Sequence, residues 1–150
     1  MTSYALPGTT SSTSSPVAGH PRRRSVGAVL AGLVTLFAIT TATDVVLHAS
    51  GVYPGPSVAP MSDALFALAT AYRIVFGVFG CYVAARLAPA RPLAHALVLG
   101  GIGVVLSTIG AVVMWEAGPA WYSLAIIGIA LPSAWLGGVW RERQLGTARA

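Results

Sequence analysis

The chain has no lysine, a single cysteine and only four acidic residues among its 150. Each scarcity excludes something. Charged residues make up 9% of the sequence, against roughly 25% in a soluble domain, so a water-exposed globular surface cannot be built from it. Cys81 alone cannot form an intrachain disulfide, and no CxxC or Cys/His grouping is present to suggest a structural metal. There is no phosphate-binding glycine loop, no HExxH and no plausible Ser/His/Asp set, so the chain carries no catalytic motif and implies no cofactor. The absence of lysine beside abundant Ala, Gly and Arg points to a GC-rich bacterial genome.

What is present is hydrophobic and contiguous. Apolar residues account for 55% of the chain, and the mean hydropathy is +0.75. Ser25–Thr43, Pro92–Trp115 and Ala117–Trp140 contain no charged residue. A helix crossing the hydrocarbon needs about 20 such residues, so these are three spans. Ala64–Ala85 is a fourth, interrupted by Arg73.

Turn signals separate the spans. Gly51, Pro54, Gly55, Pro56 and Pro60 exclude regular structure between the first two. Ser62 is placed to cap helix 2, with Asp63 in its first turn, where the helix dipole favours a carboxylate. Pro89 and Arg91-Pro92 make a tight turn into helix 3, with Pro92 suited to its first position, and Gly118-Pro119 opens helix 4. The expected fold is all-α: a bundle of four transmembrane helices with antiparallel neighbours and short turns, near residues 26–48, 63–87, 93–115 and 120–140. Residues 1–25 read as a disordered Ser/Thr/Pro tail ending in the Arg22–Arg24 cluster, and 141–150 as a second polar tail. The long leader and the extended first apolar run favour an uncleaved first span over a signal peptide.

Eight of the nine arginines lie at one end of these spans: Arg22 to Arg24, Arg86, Arg91, Arg141, Arg143 and Arg149. The opposite end has Asp63 and Glu116, with Asp44 close by. The positive-inside rule therefore puts both termini in the cytoplasm. It also explains the pI near 10.2 without nucleic acid, since the arginines mark helix ends rather than a binding face. Tyr53, Trp115, Trp121 and Tyr122 would form the outer aromatic belt and Trp140 the inner one.

Arg73 is the charge that topology leaves over. It lies ten residues past Asp63, about 15 Å into a ~30 Å core, where an arginine must face the bundle and find an anion. Asp44, on the antiparallel first helix, differs from it in depth by only about 6 Å. His48 is four residues from Asp44 and shares its helical face. Asp44, His48 and Arg73 form the candidate intramembrane polar cluster. His95 is at the far end of helix 3 and cannot join His48 on one metal or haem.

Small residues recur at four-residue spacing: Ala28 and Gly32, Gly80 and Ala84, Gly103, Ser107 and Ala111, and Ala130, Ala134 and Gly138. Such positions let helix backbones approach closely, either within one bundle or between copies. Pro132 removes a helical bond and predicts a kink in helix 4.

Several strings carry a family resemblance: Ala42-Thr43-Asp44 with Leu47-His48, Met61-Ser62-Asp63-Ala64-Leu65 with Tyr72-Arg73, and Ala84-Ala85-Arg86-Leu87-Ala88-Pro89. Over roughly residues 26–140 the chain resembles a group of small, uncharacterised bacterial four-span membrane proteins. That resemblance implies the topology and no mechanism. Four-span multidrug exporters carry a glutamate within helix 1, a position where this chain has only Asp44, nearer the outer end. The reading that follows is a structural or accessory membrane protein, its partners being the lipid bilayer and a second copy or another membrane protein. The alternative is a subunit of a small oligomeric transporter or channel.

Overall fold

The computed structural model describes residues 21–55 and 61–148. Residues 1–20 with His20, the 56–60 segment with its two prolines, and Arg149 lie outside the described residues. Four helices account for nearly all the rest: α1 (Pro21–Ala49), α2 (Asp63–Leu87), α3 (Pro92–Val113) and α4 (Ala120–Thr147), with a single 3-10 turn at Trp115–Ala117. All four are long and apolar enough to cross a membrane, and the chain is a multi-pass, all-α helical bundle.

The helix ends differ from expectation in ways that local chemistry explains. α1 begins at Pro21, so residues 21–25, expected in the disordered tail, are helical. Proline suits a helix start, and Arg22 to Arg24 are good helix formers once they leave the hydrocarbon. α4 likewise runs through Arg141-Glu142-Arg143-Gln144 and meets no breaker before Gly146. It is continuous across Pro132. α3 stops at Val113 rather than near 115, because the chain tightens into the 3-10 turn before Gly118, which is extended ahead of Pro119. Ser62 is the N-cap of α2, but its side chain makes no capping bond. Its backbone carbonyl instead accepts from Leu65 and Phe66 at 3.0 and 3.1 Å.

α2, α3 and α4 pack on one another, and α1 rests chiefly on α2, touching α3 more lightly. Glycines set the approach distances. A Cβ on Gly32 would lie 2.6 Å from the Gly80 carbonyl and 2.7 Å from Ala84, so α1 and α2 cross backbone to backbone. A Cβ on Gly100 would meet Ala134 at 2.4 Å, and one on Gly138 would meet Leu93 at 2.6 Å. Most of the small-residue pattern is thus used within the bundle. Two members of it, Gly100 and Gly137, fall outside the four-residue series read from the sequence; a Cβ on Gly137 would press on the Val78 carbonyl at 2.5 Å. The core is made of small residues around Leu99: Cys81, Ala84, Ala85, Ala96 and Ala134. Without a strong hydrophobic drive between helices in lipid, such close contact is what holds a bundle together.

Candidate functional site

The polar cluster is built at the end of the bundle opposite the arginines. α1 ends at Ala49, and Gly51 takes a left-handed φ of 75°, which turns the chain back under the helix end. The Tyr53 N–H donates to the Leu47 carbonyl at 3.0 Å, and Tyr53 is brought inside, only 4% exposed. Asp44, five residues before the end of α1, faces α2. Arg73 reaches it with Nη2 donating to Oδ2 at 2.9 Å. The other guanidinium nitrogen, Nη1, donates to the Tyr122 hydroxyl of α4 at 2.7 Å. The Tyr72 hydroxyl donates to the remaining Asp44 oxygen, Oδ1, and accepts from the Tyr53 hydroxyl at 3.3 Å.

The arrangement is therefore a clasp across three helices and one turn. Tyr53, Tyr72, Asp44, Arg73 and Tyr122 are joined in one chain of bonds. The Arg73 guanidinium carbon also lies 5.3 Å from the centre of the Tyr72 ring and 5.9 Å from that of Tyr122, so two aromatic faces support the cation. Tyr122 is held in turn by Phe66, 4.9 Å away centre to centre, which itself fills the space over Gly118. Asp44 and Arg73 remain 30% and 26% exposed, so the pair is half-desolvated rather than sealed.

His48 does not join the Asp44 carboxylate. Its Nδ1 lies 2.8 Å from the Asp44 backbone carbonyl, and its ring stands edge-on to Tyr53 at 5.2 Å. The i, i+4 spacing that suggested a shared polar face delivers a backbone contact instead. His95 behaves the same way at its own helix start, 3.1 Å from the Arg91 carbonyl. Among the described residues no three His, Cys, Asp or Glu side chains come together in a way that could hold a metal ion. Glu116 is exposed in the 3-10 turn, and Asp63 accepts from the Trp121 indole at 3.3 Å.

The tyrosines are the residues that sequence reasoning missed. The aromatic belts expected from the sequence include Tyr53 and Tyr122, yet among their members it is Trp115, Trp121 and Trp140 that stand exposed. Both tyrosines turn inward because a partly buried guanidinium and carboxylate need more hydrogen-bonding partners than each other. A second polar node, also unanticipated, sits at the arginine end. There the Tyr82 hydroxyl donates to Gln144 Oε1 at 3.0 Å and accepts from Arg86 at 3.1 Å, tying α2 to α4.

Comparison with known protein families, with curated proteins and with solved structures gives no match to this chain.

Proposed function

We propose that the chain is a structural or accessory protein of the bacterial cytoplasmic membrane, with both termini on the cytoplasmic side and no enzymatic activity of its own. The observation that carries this reading is the closed clasp. Asp44 uses both carboxylate oxygens, and Arg73 both terminal nitrogens, on other helices of the same chain. A charge pair so engaged fixes the relative depth and rotation of α1, α2 and α4, which suits a rigid element that presents its outer faces to a membrane partner. The orientation rests on the arginines at one end, by the positive-inside rule. Alkaline phosphatase fused after Thr147 should be inactive, and fused after Gly55 active; the reverse pattern would invert the topology.

A second reading, a subunit of a small oligomeric transporter or channel, has one observation in its favour: Arg73 also borders a cavity lined by all four helices. The two readings part in a planar bilayer. A strut gives no conductance above the lipid background, whereas a conductance present with the native chain and lost in Arg73→Gln would replace the accessory role with transport.

A further inference from the structure

The cavity beside the clasp has a volume of about 200 Å³. Thr40 of α1, Arg73 and Cys81 of α2, Ser107 of α3 and Ser133 of α4 contribute its polar and sulfur groups, and most of the remaining wall is apolar. Its hydroxyls separate it from an ordinary packing defect. In Thr35, Thr43, Thr70 and Thr108 the hydroxyl donates to the carbonyl four residues earlier, at 2.8 to 2.9 Å. That is the usual way a hydroxyl is satisfied on an apolar helix. Thr40, Ser107 and Ser133, on three different helices, have no hydrogen-bond partner among the described residues. Ser133 is the most enclosed of the three at 4% exposure; since no fully buried side-chain oxygen among the described residues lacks a partner, its hydroxyl opens onto the cavity. A hydroxyl that opens into a cavity between apolar helices has its donor and acceptor available to a ligand or water.

We propose that this cavity binds an uncharged, single-ring amphiphile that carries a hydrogen-bonding oxygen and is taken up from the bilayer. Size sets the ring. An apolar cavity of about 150 Å³ accommodates benzene, so this one has room for a ring with a small substituent. The hydroxyls set the polar atom, since each can donate or accept. The clasp sets the charge. Arg73 is neutralised by Asp44 at 2.9 Å, so an anion entering beside it would also meet a carboxylate. Access is provided by Phe37, which is 55% exposed and borders both this cavity and the shallow groove with Val34 and Thr41 on the outer face of α1. This site goes beyond the accessory role and does not depend on it.

The test is photolabelling of the full-length protein in lipid nanodiscs with 4-azidophenol, the adducts being mapped by peptide mass spectrometry. Adducts are expected on cavity residues such as Leu99, Ile129 and Ser133, and p-cresol should displace them saturably. At equal mole fraction in the bilayer, p-cresol should compete about tenfold better than toluene, the worth of one hydrogen bond. Ser133→Ala should erase most of that advantage while the protein stays monodisperse. Ser107→Leu should abolish the displaceable adducts by filling the space, leaving those on lipid-facing Val34 and Leu124. Adducts that p-cresol cannot displace, or equal competition by toluene in the native chain, would overturn the site. Benzoate competing as well as p-cresol would overturn its neutral class. If Ser107→Leu fails to fold, the native chain and Ser133→Ala still decide the matter.

Discussion

Removing one member of the Asp44–Arg73 pair should cost more than removing both. Breaking a fully buried ion pair by deleting one partner costs about 3–5 kcal/mol, whereas an exposed pair contributes roughly 0–1 kcal/mol. With side chains 30% and 26% exposed, this pair lies between those limits, and Asp44→Ala should lose about 2 kcal/mol. Arg73 would then keep only Tyr122 as an acceptor within the hydrocarbon region. Arg73→Ala should cost somewhat less, because the Tyr72 hydroxyl still serves the carboxylate. Asp44→Leu with Arg73→Met removes both charges and leaves apolar side chains that lipid and bundle accept, so the double variant should lose under about 1 kcal/mol. The exchange Asp44→Arg with Arg73→Asp should recover part of the loss, since the Tyr122 hydroxyl can donate to a carboxylate at position 73. Thermal unfolding in a mild detergent reads these differences. For a chain of this size about 2 kcal/mol corresponds to a fall of roughly 4–8 °C in Tm. With Asp44→Leu and Arg73→Met also made singly to complete the cycle, the reasoning is refuted if those two changes add, within about 0.5 kcal/mol, to the double. The pair would then be a coincidence of placement and the clasp would hold nothing.

Tyr122→Phe removes one acceptor of a partly desolvated cation and should lower Tm by about 2–6 °C, from a cost of roughly 1–1.5 kcal/mol. Tyr82→Phe, at the solvated arginine end, should change Tm by less than about 2 °C, which a parallel melt would show. Gly32→Leu should prevent correct assembly, because even its Cβ would sit 2.6 Å from the Gly80 carbonyl. Gly27→Leu, on the same helix with nothing within 4 Å of its Cβ, should be silent; monodispersity on size exclusion distinguishes the two.

The order and identity of the helices were legible because the bilayer enforces a rule that composition cannot hide: long uncharged runs, broken by glycine and proline. The Asp44–Arg73 pair was legible for a related reason. A charge at that depth must meet an opposite one, and only one carboxylate was within reach. The tyrosines followed no such rule. Near a helix end a tyrosine satisfies its hydroxyl equally well at the headgroups or inside, and the choice depends on which way the helix is rotated. For Tyr53 it depends further on the positive φ of Gly51, which reverses the chain only after α1 has ended at the right turn. His48 keeps the face it shares with Asp44, but that spacing does not decide between carboxylate and carbonyl, and its Nδ1 lies against the Asp44 backbone carbonyl. The cavity is less legible still. Gly77 and Gly103 both line it, and the same glycines, read along the sequence, are indistinguishable from those that only let helices touch. The difference lies across the interface. Gly100 faces Ala134, which would contact its Cβ at 2.4 Å, whereas a Cβ on Gly103 would find Ala130 at an ordinary 3.6 Å. Close packing and open space are thus produced by the same residue type within a single turn of α3, and the unbonded hydroxyls of Ser107 and Ser133 mark which of the two has chemistry in it.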